Sequence, residues 1–127
     1  MIVILFMPEP LNRKILIVSD DGHIKGFLSD FFALNGYRIT LAGNGIETLD
    51  LLEDETYCLL IADMDMPEMD GIELVIRIRS LNIPLPIIVM SSGGKKSELL
   101  KAGADYFLLK PFGISQLRTI IYFLNKT

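Results

Sequence analysis

An apolar run that stops at a carboxylate constrains this chain more than any other stretch. Cys58-Leu-Leu-Ile-Ala62 gives way at once to Asp63, and Met64-Asp65-Met66-Pro67-Glu68-Met69-Asp70-Gly71 follows. An uninterrupted apolar run of this length reads as a strand buried on both faces, because a half-exposed strand alternates polar and apolar residues. Asp63 then stands where a buried strand emerges, a place where a charge is held rigidly yet meets solvent or a ligand. Pro67 cannot continue a ladder and stiffens the loop leaving the strand. Asp70-Gly71 offers a helix cap and a turn before the apolar-periodic stretch that begins at Ile72.

The rest of the chain repeats this alternation. Ile15-Leu-Ile-Val18 is a second such strand and runs into Ser19-Asp20-Asp21-Gly22. Ile24, Phe27, Leu28, Phe31 and Phe32 follow the spacing of one helix face, and Asn35-Gly36 closes that helix as a left-handed cap. A short strand is expected over Arg38 to Ala42, then a helix capped by Asn44 and carrying Ile46, Leu49 and Leu52. A helix from about Ile72 to Ser80 follows the central strand. Ile87 to Met90 reads as the fourth strand, Ser97 to Ala102 as a short helix, and Tyr106 to Leu109 as the fifth strand. Ile114, Leu117, Ile120, Ile121 and Leu124 make the stripe of a last helix, with Tyr122 and Phe123 off it.

Strands alternating with helices predict a parallel sheet covered on both faces, a doubly wound α/β domain. Ligands of such folds bind beyond the carboxyl ends of the strands. This sequence places Asp20 and Asp21, Asp63, Ser91 and Lys110 at those ends.

Composition narrows the rest. A chain of 127 residues is large enough for one self-sufficient core, and a mean hydropathy of +0.42 argues against disorder. Twelve basic against 16 acidic residues, net −4, leave no electrostatic footprint for nucleic acid. Cys58 is the single cysteine, which rules out an internal disulfide, suits a reducing, cytoplasmic setting and reads as a packed small hydrophobe. Met1-Ile-Val-Ile-Leu-Phe-Met7 lacks the flanks of a signal peptide and is too short to span a bilayer; it is expected to lie on the domain surface. We place an N-terminal extension at residues 1–13 and the domain at 14–127, with no output domain expected beyond the last helix.

The strand-end residues suit one chemistry. Clustered carboxylates repel unless a hard divalent cation sits among them, and Mg²⁺ takes oxygen ligands while keeping waters that a phosphate can displace. One carboxylate can then attack a phosphoryl group, with Lys110 and Ser91 neutralising and hydrogen-bonding its oxygens.

Over about residues 14 to 125 the chain resembles a receiver domain of two-component response regulators. The matching features are the acidic loop after the first strand and Asp63-x-x-Met66-Pro67-x-Met69-Asp70-Gly71. A hydroxyl closing the fourth strand, and Gly103-Ala104-Asp105 leading to Lys110-Pro111-Phe112, complete them. The resemblance implies a flavodoxin-like sheet of order 2-1-3-4-5 and phosphorylation of Asp63 by a histidine kinase or histidine phosphotransfer protein. It also implies Mg²⁺ held by Asp20, Asp63 and the backbone carbonyl of Asp65, and a Ser91/Phe107 switch. Lys110 and Ser91 would contact the phosphate, Pro67, Gly71 and a cis Pro111 would shape the loops, and the chain would be no enzyme beyond its own phosphoryl transfer and slow self-dephosphorylation.

Three departures qualify it. Ser19 stands in the first place of the usual acidic pair, with Asp20 in the second; Asp21, one residue late, is either a weak metal ligand or a helix cap. Asp65 adds a negative charge two residues past the phosphoacceptor, which bears on how long a phosphate would last. The stretch from Ser91 to Lys110 is shortened, so the fourth helix is expected to be short and mobile. Asp70 is assigned to a cap, His23 to the solvated surface, the methionines near Asp63 to packing, and Phe107 to either core or switch. Tyr122 and Phe123 suggest that the fifth strand and last helix bind a partner or a second copy, with no membrane contact. Two other readings stand beside this one: a degenerate receiver that only docks proteins, and a phosphatase using Asp63-Met64-Asp65.

Overall fold

The computed structural model describes residues 12–126, so the apolar leader at 1–7 lies outside the described residues. The order is β1 (Lys14–Val18), α1 (Gly22–Leu34), β2 (Arg38–Ala42), α2 (Gly45–Asp54), β3 (Leu59–Asp63), α3 (Gly71–Ser80), β4 (Ile87–Ser91), α4 (Lys96–Ala102), β5 (Tyr106–Leu109) and α5 (Ile114–Asn125). All strand pairs are parallel, as the alternation of strands and helices predicts, and the sheet order is β2-β1-β3-β4-β5, the one the resemblance implies.

β3 and β4 are buried along their whole length, which their unbroken apolar runs require. Alternate residues feed two cores. Leu16, Val18, Leu60, Ala62 and Val89 pack with Leu74, Val75 and Ile78 of α3 and Leu99 of α4, and the half-buried Leu49 and Leu52 of α2 close over them. Ile15, Ile17, Leu59, Ile61, Ile88 and Met90 face the other way, onto Leu28 and Phe32 of α1 and Leu117 of α5. The helices therefore divide between the faces, α2 to α4 on one side and α1 with α5 on the other.

Local signals explain the helix ends. The Asn44 side chain accepts the Glu47 amide and the Asp70 side chain accepts that of Glu73, so one orphan donor at each helix start is satisfied. The left-handed conformation expected at Asn35-Gly36 falls on Gly36 alone, at φ +90°, while Asn35 is the cap residue at φ −99°. Arg79 ties the far end of α3 to its neighbours. Its guanidinium donates to the Ile83 and Gly103 carbonyls at 2.8 and 2.9 Å and to Asp105 at 3.0 Å, and Asp105 accepts the Ile87 amide.

Periodicity overstated three positions. Phe27, Ile46 and Ile114, each placed on a buried stripe, are exposed. Phe27 sits at the edge of its stripe, with its ring centroid 6.3 Å from that of Phe112. Ile46 and Ile114 lie in the first turns of α2 and α5; in α2 the buried positions are Gly45 and Thr48, on either side of Ile46, and in α5 the buried position is Leu117. Among the described residues no helix is long and apolar enough to cross a membrane.

Candidate functional site

β3 ends on Asp63, paired in register with Met90 of β4, and the side chain is only 2% exposed. A carboxylate so far from water requires donors, and it has three. Lys110 Nζ lies 2.8 Å from Oδ1, the Asp65 amide donates to the same oxygen at 3.2 Å, and the Ser19 hydroxyl donates to Oδ2 at 3.1 Å.

Each donor arrives on a different element. Lys110 follows β5, and its amide donates to the Ser91 carbonyl at 2.8 Å, which anchors the lysine to the end of β4. Its peptide bond to Pro111 is cis, as expected. Ser19 follows β1 and is fully buried; its oxygen also accepts the Asp21 amide at 2.9 Å. The Asp65 amide belongs to the β3–α3 loop itself, where Met64, Met66 and Met69 are buried in the core beneath it.

Gly71 lets that loop close. A Cβ there would stand 2.9 Å from the Met64 Cα and 3.1 Å from the Asp63 carbonyl oxygen. The first residue of α3 thus abuts the main chain of the acid, and its amide donates to the Met64 carbonyl at 2.9 Å. Pro67 lies exposed on the outer part of the same loop.

The other expected site residues are placed as follows. Ser91 closes β4 and is buried, but its hydroxyl oxygen accepts the Gly93 amide at 3.2 Å instead of meeting Asp63. Asp20 and Asp65 are exposed at the rim. Asp21, left between ligand and cap, is committed to the cap: its Oδ1 accepts the His23 and Ile24 amides at 2.9 and 3.3 Å. Phe107 is half-buried in β5 against the core of the α2-to-α4 face. Cys58 lies one residue before β3, and burial pushes its thiol above the usual range, which suits packing and not reactivity.

Ser19 is the residue whose part was not foreseen. Its position next to Asp20 gave the signal, but its bond partner lies 44 residues away.

The model of the response regulator receiver domain matches residues 15–122. The chain belongs to the receiver domain family of two-component response regulators. Response regulator MprA of Mycobacterium bovis (strain BCG / Pasteur 1173P2) is 37% identical over 110 residues, 84% of this chain and 48% of that protein. The chain therefore spans about half the length of the curated relatives it matches. Among solved structures, the Francisella response regulator 1452 receiver domain superposes with a TM-score of 0.84 at 37% identity, covering 91% of this chain and 98% of that one. The receiver domain of sensor histidine kinase PA1611 from Pseudomonas aeruginosa PAO1, solved with a magnesium ion in its active-site cleft, gives 0.82 at 26% identity and covers 91% and 99%.

The residues that the resemblance implies as ligands have the donor chemistry such an ion takes. Asp63, Asp20 and the Asp65 carbonyl offer only hard oxygens. Among the described residues no three acidic, histidine or cysteine side chains form a ready-made cage. Two carboxylates and a carbonyl leave room for the waters Mg²⁺ retains.

Proposed function

We propose that this receiver domain takes a phosphoryl group onto Asp63 from a histidine kinase or histidine phosphotransfer protein, and that phosphorylation switches a protein-binding surface. The supporting observation is Asp63 itself, a buried carboxylate at the end of the central strand with its counter-charge, Lys110, 2.8 Å away. An acid in such a place contributes little to packing and is costly to desolvate, so it is retained for chemistry.

In the step, a carboxylate oxygen of Asp63 bonds to phosphorus as the phosphorus–nitrogen bond of phosphohistidine breaks, and the electron pair stays on the imidazole nitrogen. The Lys110 ammonium stabilises charge on the phosphoryl oxygens, and Ser91 exchanges its contact with Gly93 for a donor bond to one of them. Asp20, Asp63 and the Asp65 carbonyl would hold Mg²⁺, which supplies charge neutralisation on those oxygens when bound. Asp21 serves the α1 cap. Water later attacks phosphorus and restores the carboxylate with release of phosphate, and the exposed Asp65 side chain tunes that slow step. No other catalysis is proposed, and a cytoplasmic setting fits the half-buried free thiol of Cys58.

Movement of Ser91 and Phe107 would carry the signal to the β5/α5 face. There Tyr106, Tyr122 and Phe123 are about half exposed, and the Tyr106 and Phe123 rings stack 6.0 Å apart. This aromatic patch is the proposed contact for a downstream protein or a second copy, with no role for nucleic acid or membrane.

Incubation with Mg²⁺ and a small phosphodonor, read by intact mass, tests the central step. A Mg²⁺-dependent label on the wild type and none on Asp63→Ala is expected; equal labelling of both overturns it. Sedimentation of Tyr122→Ala/Phe123→Ala with beryllium fluoride tests the surface, and mass and partner binding equal to wild type would refute it. A degenerate docking module would take no label at all.

A further inference from the structure

Ser19 is fully buried one residue beyond β1, and its hydroxyl is used twice. The oxygen accepts the Asp21 amide at 2.9 Å, and its one hydrogen points to Asp63 Oδ2, 3.1 Å away. The direction is forced, because a carboxylate only accepts. With Lys110 and the Asp65 amide on Oδ1, both oxygens of Asp63 have donors, and the Lys110 charge balances that of the acid. The remaining acids, Asp20 and Asp65, are exposed, where water screens them.

We propose that Ser19 is a positioning residue that keeps the resting Asp63 hydrogen-bonded and charge-balanced without a cation, so that this receiver takes Mg²⁺ weakly. The proposal rests on the reading of Asp63 as a metal-assisted phosphoacceptor. A hydroxyl at this point adds no charge to the site. A carboxylate there would stand against Asp63 Oδ2 in a buried place and would favour a divalent cation as its bridge.

The test uses the full chain as wild type, Ser19→Asp and Ser19→Ala. Mg²⁺ is titrated calorimetrically, and thermal unfolding is followed in EDTA and in Mg²⁺ at matched ionic strength. Ser19→Asp is expected to bind Mg²⁺ about tenfold tighter than wild type, to unfold at lower temperature in EDTA and to recover in Mg²⁺. Ser19→Ala leaves Oδ2 without its donor and is expected to lose about 5 °C in EDTA, less in Mg²⁺, and to bind Mg²⁺ more tightly than wild type. Wild-type unfolding should shift by less than about 1 °C at about 0.5 mM Mg²⁺. That readout stands even if Ser19→Asp does not fold.

A large wild-type shift at that concentration, wild-type Mg²⁺ affinity in Ser19→Asp, or wild-type unfolding of Ser19→Ala each overturns the proposal. Phosphodonor labelling separates the two levels. A Mg²⁺-dependent label on Asp63 with any of these results sinks the role of Ser19 alone, whereas no label on the wild type sinks the reading beneath it.

Discussion

Two loops leave neighbouring strands at the same edge of the sheet and flank Asp63, yet they are built in opposite ways. The β3–α3 loop is fastened from within. The Met64 amide donates to the Met90 carbonyl, the Asp65 amide to Asp63, the Met69 amide to the Pro67 carbonyl and the Gly71 amide to the Met64 carbonyl. Three buried methionines fill its underside, and Asp70 caps the helix that follows. The loop even holds Glu68 at φ +71°, a conformation that side chains avoid unless their surroundings impose it.

The β4–α4 loop has little of this. Residues 92–98 are all exposed, Gly93 and Gly94 sit at φ +133° and +87°, and Lys95 precedes α4 as its cap residue with no side-chain cap bond. Its visible anchor is the Gly93 amide on Ser91. The contrast teaches where rigidity is needed. Under the proposed function, a phosphoacceptor must be held still, whereas a hydroxyl that reports on it must be free to change partners.

The contrast can be broken most directly at Gly71. Gly71→Ala drives a methyl group into the main chain of Met64, and flexible side chains cannot absorb that clash. A loss of about 3 kcal/mol in denaturant unfolding is expected; a loss below about 1 kcal/mol would mean that the rigid loop is not rigid. Native-state hydrogen exchange compares the two loops without mutation. The Met64 and Gly71 amides should exchange at least about a hundredfold more slowly than those of Gly94 and Lys95, and equal protection would erase the distinction.

Helix caps give the smaller effects. Asp70→Ala removes the acceptor for the Glu73 amide and should lower stability by about 1 kcal/mol in the same unfolding assay. Lys95→Ser adds a cap-forming residue to α4, but Lys95 has ψ 16°, not the extended backbone a side-chain cap uses. A change of less than about 0.5 kcal/mol is expected, and a clear gain would show a β4–α4 loop more ordered than its geometry implies.

Much of this architecture is written locally. The runs at 15–18, 59–62 and 87–90 read as strands buried on both faces because they are short, apolar and closed by a polar residue, and Asn44 and Asp70 marked helix starts by their own side chains. Asp63 and Lys110 were legible as edge residues because each ends an apolar run at a turn. Ile46, Phe27 and Ile114 show the limit of the method, since period assigns a face but not the depth of what lies beneath it.

The sequence alone determined the order of strands and helices, the double-sided core, and which residues stand at the carboxyl ends. The tertiary structure decided who meets at that edge. Only the parallel placement of β1 beside β3 brings Ser19 to Asp63 Oδ2, and only the return of α3 against Met64 excludes a side chain at position 71. Hydrophobic period is a property of neighbours along the chain. A hydrogen bond across 44 residues depends on sheet order and register, which exist only once the strands are side by side.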